Sequence, residues 1–165
     1  LSYARDLGQG ISATLRGGLE QEWRHDIALR DAFTRDLGLT VSRRSAHGIL
    51  SLDLALADTD SDARSIARET ARVSLGYQWA RPVKGMVPRL SLSYQAVAFD
   101  QAPAAFWVDP REDREWRLGV DVLLPELDYM GFAPEVGIGL RDRSSNYSLY
   151  ELRATDLRIG LKSVF

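Results

Sequence analysis

Residues 116–124 read Trp-Arg-Leu-Gly-Val-Asp-Val-Leu-Leu, and residues 132–141 read Phe-Ala-Pro-Glu-Val-Gly-Ile-Gly-Leu-Arg. In both stretches every second residue belongs to one apolar series, and the residues between are mostly glycine or charged. Such alternation is typical of β-strands, because successive side chains point to opposite faces of a sheet. These two stretches predict an all-β, antiparallel fold.

The same alternation recurs along most of the chain and predicts a meander of about eight strands. The first three strands are weaker, and Arg35 interrupts the apolar face of one of them. A helix fits poorly anywhere, and residues 62–72 are its best alternative position. The predicted strands lie near residues 11–24, 32–43, 48–58, 68–80, 88–99, 113–124, 132–143 and 151–165.

The composition excludes several classes of protein. A chain of 165 residues forms one domain or part of a larger one. The absence of cysteine excludes disulfides and thiol catalysis, and a net charge of −2 gives no nucleic-acid footprint. No apolar stretch is long enough for a transmembrane helix. A mean hydropathy of −0.22 remains compatible with a membrane β-barrel, because barrel strands alternate apolar and polar residues.

Several features favour a transmembrane β-barrel over a soluble lipocalin-like barrel or sandwich. The predicted strands are longer than those of soluble sheets and reach the roughly 9–11 residues that cross a bilayer. The longer connections alternate with shorter ones, so they are expected at one end, and the chain stops on an aromatic residue. Aromatic residues cluster at the ends of the apolar face: Tyr77, Trp79, Phe132 and Phe165 at one end, and Trp23, Phe33, Trp116 and Tyr150 at the other.

In a membrane barrel the polar face of each strand points into the lumen. Both signs of charge occur on this face, so we expect the charges to pair with each other rather than to form an ion pathway. The predicted lumen-facing residues are Arg72, Arg89, Arg117, Asp121, Glu135, Arg141 and Arg158.

Candidate chemical sites are few. His25 and His47 are the only histidines, and both are expected to be solvated loop residues rather than catalytic bases. Residues 58–62 alternate aspartate like the start of a calcium loop, but the glycine and glutamate of that motif are missing. A solvated acidic loop is preferred over weak divalent-ion binding. We therefore predict no enzyme activity, cofactor or metal site.

Two local features remain open at this stage. The charged segment 107–114 is expected to cap the barrel mouth, with contact to a partner or cargo as the alternative. In the last strand the apolar phase changes between Ala154 and Leu157, which predicts a β-bulge near residues 155–156.

The C-terminal part carries three short motifs that belong together. The penultimate strand opens with Gly131-Phe132-Ala133-Pro134, a Ser145-Asn146 pair precedes Tyr150, and the closing strand ends on Phe165. With the charged segment 109–113, these motifs resemble the C-terminal barrel of the surface lipoprotein assembly modifiers, the Slam-type proteins. The resemblance is good over roughly residues 85–165. Its motif residues are Gly131, Phe132, Pro134, Ser145, Asn146, Tyr150 and Phe165.

The resemblance implies an outer-membrane protein of a Gram-negative bacterium that assists delivery of lipoproteins to the cell surface. The implied partners are outer-membrane lipids, surface lipoprotein cargo and the outer-membrane assembly machinery. The family barrel is larger than eight strands. Residues 1–10 are similar to the tail of a preceding strand and a turn, so we expect residues 1–165 to be one segment of a longer barrel. The alternative is a stand-alone eight-stranded structural or adhesion barrel, and a lipid-modifying enzyme is a more distant third.

Overall fold

The computed structural model describes residues 1–23, 31–63, 65–105 and 107–163. These residues form a single antiparallel sheet with two short 3-10 turns, Pro125–Leu127 and Ser148–Tyr150. The strands are β1 (Ser2–Gly8), β2 (Ile11–Glu22), β3 (Ala32–Arg44), β4 (Gly48–Ser61), β5 (Arg68–Trp79), β6 (Val87–Phe99), β7 (Glu112–Leu123), β8 (Phe132–Ser145) and β9 (Leu152–Ser163).

Each strand pairs only with its neighbours in the sequence, so the described sheet is a meander with β1 and β9 at its edges. The predicted all-β antiparallel meander is confirmed. The eight predicted strands correspond to β2–β9, and the strand tail and turn expected at residues 1–10 correspond to Ser2–Gly8, which pairs with β2, and the turn that follows it. The edges β1 and β9 do not pair with each other, so the sheet is open.

One face of the sheet is apolar and exposed. Leu52, Leu75, Leu92, Leu118 and Leu140 are register partners across β4 to β8 and form a continuous row. These five leucines are between 39% and 48% exposed. Leaving a leucine-sized side chain in water forfeits about 1.5–3 kcal/mol relative to full burial. A row of such residues therefore needs an apolar cover that the described part of the chain does not supply.

The buried apolar residues are few and lie mostly away from this face. In the described part of the chain they are Ala67, Phe99, Ala102 and Ala133. The described helical segments are short turns, and none is long and apolar enough to cross a membrane. The stability of the sheet in water therefore cannot come from a conventional hydrophobic core.

The predicted bulge near residues 155–156 is wrong. The ladder between β8 and β9 runs without a shift from Phe132 opposite Ser163 to Arg143 opposite Leu152. The alternation of apolar and polar residues ends near the top of β9, although the backbone pairing continues. Arg153 falls on the apolar side and meets Asp142 at 3.5 Å, while Ala154 lies opposite Arg141 on the polar side.

The connections differ from those expected. We call the end of the sheet that carries residues 100–111 the upper end, and the end that carries the turn at Gln9 and Gly10 the lower end. Strands β4 and β8 are longer than predicted, so residues 62–67 and 146–151 leave only short upper connections. The lower connections 80–86 and 124–131 are slightly longer, so the predicted alternation in length is wrong at these positions.

The helical alternative for residues 62–72 is reduced to one turn before β5. Strand β5 begins at Arg68, and the residues before it hold a single turn in which the Ala67 amide donates to the Ala63 carbonyl at 3.3 Å. The first residues of β5 fit either a helix or a strand by their pattern alone. Their pairing with β4 shows that they form a strand.

Candidate functional site

The polar face of the sheet is concave. Arg89 on β6 reaches Glu135 on β8 at 3.3 Å, and Arg158 on β9 reaches Asp121 on β7 at 3.1 Å. Each of these ion pairs spans an intervening strand. Side chains of second-neighbour strands meet in this way where a sheet curves toward them. The candidate site is therefore this charged concave surface.

Its lower half is a network that joins four strands, which we call the lower cluster: Arg89, Asp121, Glu135, Arg158 and Lys162. Arg89 lies 3.3 Å from both Asp121 and Glu135. Lys162 lies 3.6 Å from Glu135 and adds β9 to the network a second time. The Asp121 side chain is only 13% exposed, and its two arginine partners take the place of most of its hydration.

Two glycines provide the space for this network. A Cβ atom on Gly137 would overlap the Asp121 carboxylate and lie 3.2 Å from the Arg158 guanidinium. A Cβ atom on Gly119 would lie 2.6 Å from the Ser91 hydroxyl. The alternating glycines of β7 and β8 therefore allow the charged side chains to cross the concave face.

The upper half of the concave face centres on Glu115, which is 4% exposed. Its carboxylate accepts hydrogen bonds from Arg117 and Arg143, the latter at 2.6 Å, and lies 3.7 Å from Arg141. We call these four residues the upper cluster. Three guanidinium groups around one carboxylate compensate the loss of its hydration.

A cavity of about 510 Å³ lies beside the upper cluster on the same face. Arg72 borders it and donates to Gln95 at 3.1 Å. Arg111 also borders it, pairs with Asp113, and lies 4.3 Å from the ring centre of Phe99. The lining carries both signs of charge and a buried aromatic ring, so it offers donors, acceptors and an apolar contact together.

All seven residues predicted to face a lumen lie on this concave face. Six of them belong to the two clusters, and Arg72 lines the cavity. The structure thus brings the predicted polar residues together and pairs most of them, whereas their role stays a prediction. The alternation also places Lys162 on this face, whereas Glu115 was not predicted although it follows the same alternation.

The upper connections are fastened to each other by Asn146. Its side-chain amide donates to the Pro110 carbonyl at 2.8 Å, and its side-chain oxygen accepts from the Glu112 amide at 2.8 Å. Tyr147 adds a hydrogen bond from its hydroxyl to the Asp109 carbonyl at 2.5 Å. Asn146 therefore replaces the missing strand partner of residues 110–112.

Aromatic rings complete this contact. Trp107 stacks on Tyr147 with ring centres 4.4 Å apart, and the Arg111 guanidinium lies 3.6 Å from the ring centre of Tyr150. The motif around Ser145, Asn146 and Tyr150 and the charged segment 109–113 are thus two halves of one contact, which we call the loop clasp.

We expect Asn146→Ala to loosen the loop clasp. Two solvent-exposed hydrogen bonds to the backbone are lost, each contributing about 0.5–1.5 kcal/mol. Limited proteolysis should then cut within residues 100–111 sooner than in the parent protein. Ser144→Ala is the matched control, because its hydroxyl makes only a long 3.4 Å hydrogen bond to the Arg114 carbonyl. Equal cleavage rates in the two variants would contradict this role.

The remaining motif residues shape the lower end. Met130 and Gly131 adopt positive φ angles of 52° and 82° in a two-residue turn, and Tyr129 and Phe132 exchange backbone hydrogen bonds across it. The Pro134 carbonyl accepts from the Leu124 amide at 2.9 Å, which anchors the connection to β8. Phe165 and His25 lie outside the described residues.

The acidic segment 58–62 is not the loop that was expected. Asp58 and Asp60 lie in β4 and pair with Arg35 at 3.4 and 2.9 Å. The arginine that interrupts the apolar face is thus neutralised by the next strand. His47 is exposed in the turn before β4. In the part of the chain that the structure describes, no group of histidine, aspartate and glutamate side chains is suited to a metal ion.

The fold and the site together define an antiparallel β-meander protein with an inverted distribution of polarity. Its concave face is charged, and its opposite face is apolar. The family model of the surface lipoprotein assembly modifiers matches residues 39–165. The chain belongs to this family. Comparisons with curated proteins and with solved structures give no match.

Proposed function

We propose that this chain forms part of the wall of an outer-membrane β-barrel that assists delivery of lipoproteins to the surface of a Gram-negative bacterium. The family suggests the role in surface lipoprotein assembly. The inverted polarity of the sheet is the observation that supports a location in the membrane. The leucine row is exposed while Glu115 is 4% exposed among arginines, which is the arrangement of a membrane barrel.

Outer-membrane lipids are the proposed cover of the apolar face. Strands of 12 to 14 residues over β2 to β9 exceed the roughly 9–11 residues that a tilted strand needs to cross a bilayer. Tyr77 and Trp79 contact each other at the lower end of this face, with ring centres 4.6 Å apart. Aromatic residues at such a boundary suit the interface between hydrocarbon and headgroups.

The proposed barrel contains more strands than the nine that the described residues form. Both edges of the sheet carry unpaired backbone groups, and each such group costs several kcal/mol in hydrocarbon. Single-chain bacterial barrels also have an even number of strands, and nine is odd. Both arguments favour a segment of a larger barrel over a stand-alone eight-stranded structural or adhesion protein.

The proposed role is transport rather than catalysis. The concave face would line the passage, and its paired arginines and carboxylates offer contacts of both signs to a passing polypeptide. Surface lipoprotein is the proposed cargo, and the outer-membrane assembly machinery is the proposed partner during insertion. A pathway for an ion of one sign would carry mostly the opposite charge.

The test is lipoprotein display on intact cells. We expect deletion of the complete gene to reduce the fraction of a tagged surface lipoprotein that external protease removes, and re-expression to restore it. Total lipoprotein in a whole-cell blot serves as the control for synthesis. Fractionation should recover the protein with the outer membrane. Unchanged protease accessibility after deletion would refute the role in display, and recovery in the soluble fraction would refute the membrane location.

A further inference from the structure

A groove crosses the apolar face near its upper end. Its floor consists of small residues, Ala71, Ala96 and Ala98, and leucines form the opposite wall. We call it the alanine groove, and its volume is about 1110 Å³. Pockets for ordinary small molecules measure roughly 300–1,000 Å³, so the space suits a larger apolar ligand. The leucines of the wall are Leu19, Leu37 and Leu56.

The register of the strands creates this groove. Ala71 on β5 lies opposite Ala96 on β6, and their outer neighbours in the same row are Leu56 and Arg114. Two adjacent methyl groups between longer side chains leave a depression. The next row toward the lower end holds Val73, Tyr94 and Trp116, and Tyr94 and Trp116 contact each other with ring centres 4.7 Å apart. This aromatic pair therefore lies one row below the small residues of the floor.

The rim of the alanine groove toward the upper end is charged. It carries two arginines and three carboxylates, and Asp60 adds a fourth carboxylate beside Arg35. Arg35 is already paired with Asp58 and Asp60. The rim is therefore net negative, which disfavours the phosphate groups of phospholipids or lipopolysaccharide and favours a cationic group. The charged rim residues on this face are Arg35, Asp58, Glu69, Glu112 and Arg114, and Asp36 and Asp113, whose positions alternate with them, also line the groove.

We propose that the alanine groove binds the acyl chains of a lipid-modified polypeptide, with basic residues beside the acylated end placed against the acidic rim. The apolar floor and walls receive the chains, and the charge of the rim selects a peptide over a phosphate-bearing lipid. This inference rests on the proposed function, because it assigns the groove to the lipid anchor of the cargo.

The first experiment maps binding with a photoreactive probe. The probe is a synthetic triacylated Cys-Ser-Lys-Lys-Lys-Lys peptide with a diazirine in one acyl chain, added to the protein expressed from its complete gene and held in phospholipid nanodiscs. We expect labelling to concentrate in the strands that hold Ala71 and Ala96. A phospholipid with the same photoreactive chain is the comparison. Equal labelling of this region by both probes means bulk lipid contact only and overturns the proposal.

Filling the groove should remove the site. We expect the double variant Ala71→Leu/Ala96→Leu to lower labelling by the acylated peptide roughly tenfold or more, because the added side chains occupy its floor. Ala13→Leu is the matched control, since Ala13 lies on the apolar face of β2, opposite Val41 and outside the groove. If the double variant does not insert into the nanodisc, the single variant Ala96→Leu is used in its place. Together with the labelling map on the parent protein, it tests whether the groove binds the acylated peptide. Unchanged labelling in an inserted variant contradicts the proposal.

Display in cells separates this inference from the function on which it rests. If gene deletion abolishes display and Ala71→Leu/Ala96→Leu abolishes it as well, while Ala13→Leu does not, both stand. If deletion abolishes display but the double variant displays normally, the groove assignment fails and the proposed function remains. If deletion leaves display unchanged, the proposed function fails, and the labelling map alone decides whether the groove binds acylated peptide.

Discussion

Replacing Leu118 with arginine is expected to lower the free energy of unfolding of the bilayer-inserted protein by about 2–4 kcal/mol, as for arginine at the midplane of a barrel wall. Leu118 lies in the middle of β7, within the exposed leucine row, and is 44% exposed. Its neighbours on both sides are leucines, so the guanidinium finds no carboxylate within the row. The measurement is urea unfolding of the protein refolded in lipid vesicles, followed by tryptophan fluorescence. Val120→Arg should behave alike.

Ser91→Arg provides the matched control on the opposite face. Ser91 lies between Gly76 and Gly119 in the register, so a longer side chain has room on the concave surface. Its substitution should destabilise the protein less than that of Leu118. Equal losses at Leu118 and Ser91 would show that the two faces have been assigned to the wrong environments.

Glu115→Ala is the second change with a large expected effect. The carboxylate is 4% exposed and accepts from Arg117 and Arg143, with Arg141 close by. Removing the carboxylate leaves three partly exposed arginines close together without a counter-charge, and losing its charged hydrogen bonds costs about 1.5–3 kcal/mol. We expect a lower urea midpoint in the same vesicle assay, together with faster proteolysis of the upper connections.

Arg153→Ala is the control for Glu115. It breaks the ion pair with Asp142, whose two side chains are 87% and 60% exposed. Exposed pairs contribute about 0–1 kcal/mol, so the midpoint should shift little. A loss at Arg153 as large as that at Glu115 would argue that burial does not decide the strength of these pairs, and would remove the energetic distinction between the upper cluster and the edge.

The strands were predictable because a period of two is a local signal. Both faces of β7 can be assigned from Trp116 to Leu123 without knowledge of the partners, and the residues on the charged face follow from the same phase. The error at the last strand has a related cause. The predicted bulge rests on keeping every apolar residue of β9 on one face. The ladder is regular instead, so Arg153 lies on the apolar face and Ala154 on the polar face.

The site contacts were harder to predict because they depend on register and on distant loops. Asn146 donates a hydrogen bond to Pro110, 36 residues away in the sequence, and no periodic pattern predicts that contact. The alanine groove needs Ala71 opposite Ala96, which follows only once β5 and β6 are aligned. The ion pairs of Arg35 could have been predicted from the sequence. Asp58 and Asp60 stand two residues apart, so a strand places both on one side, facing the preceding strand.

The neighbour-only pairing of the nine strands has a consequence for how the chain reaches its native state. Within the described sheet every strand finds its partner through a single connection, so only the closure of the proposed barrel has to join strands that are distant in sequence. Rates of folding fall as contacts become more distant in sequence, and a meander keeps them short for a β protein. The chain can therefore grow by one hairpin at a time, with each newly formed edge acting as the template for the next strand.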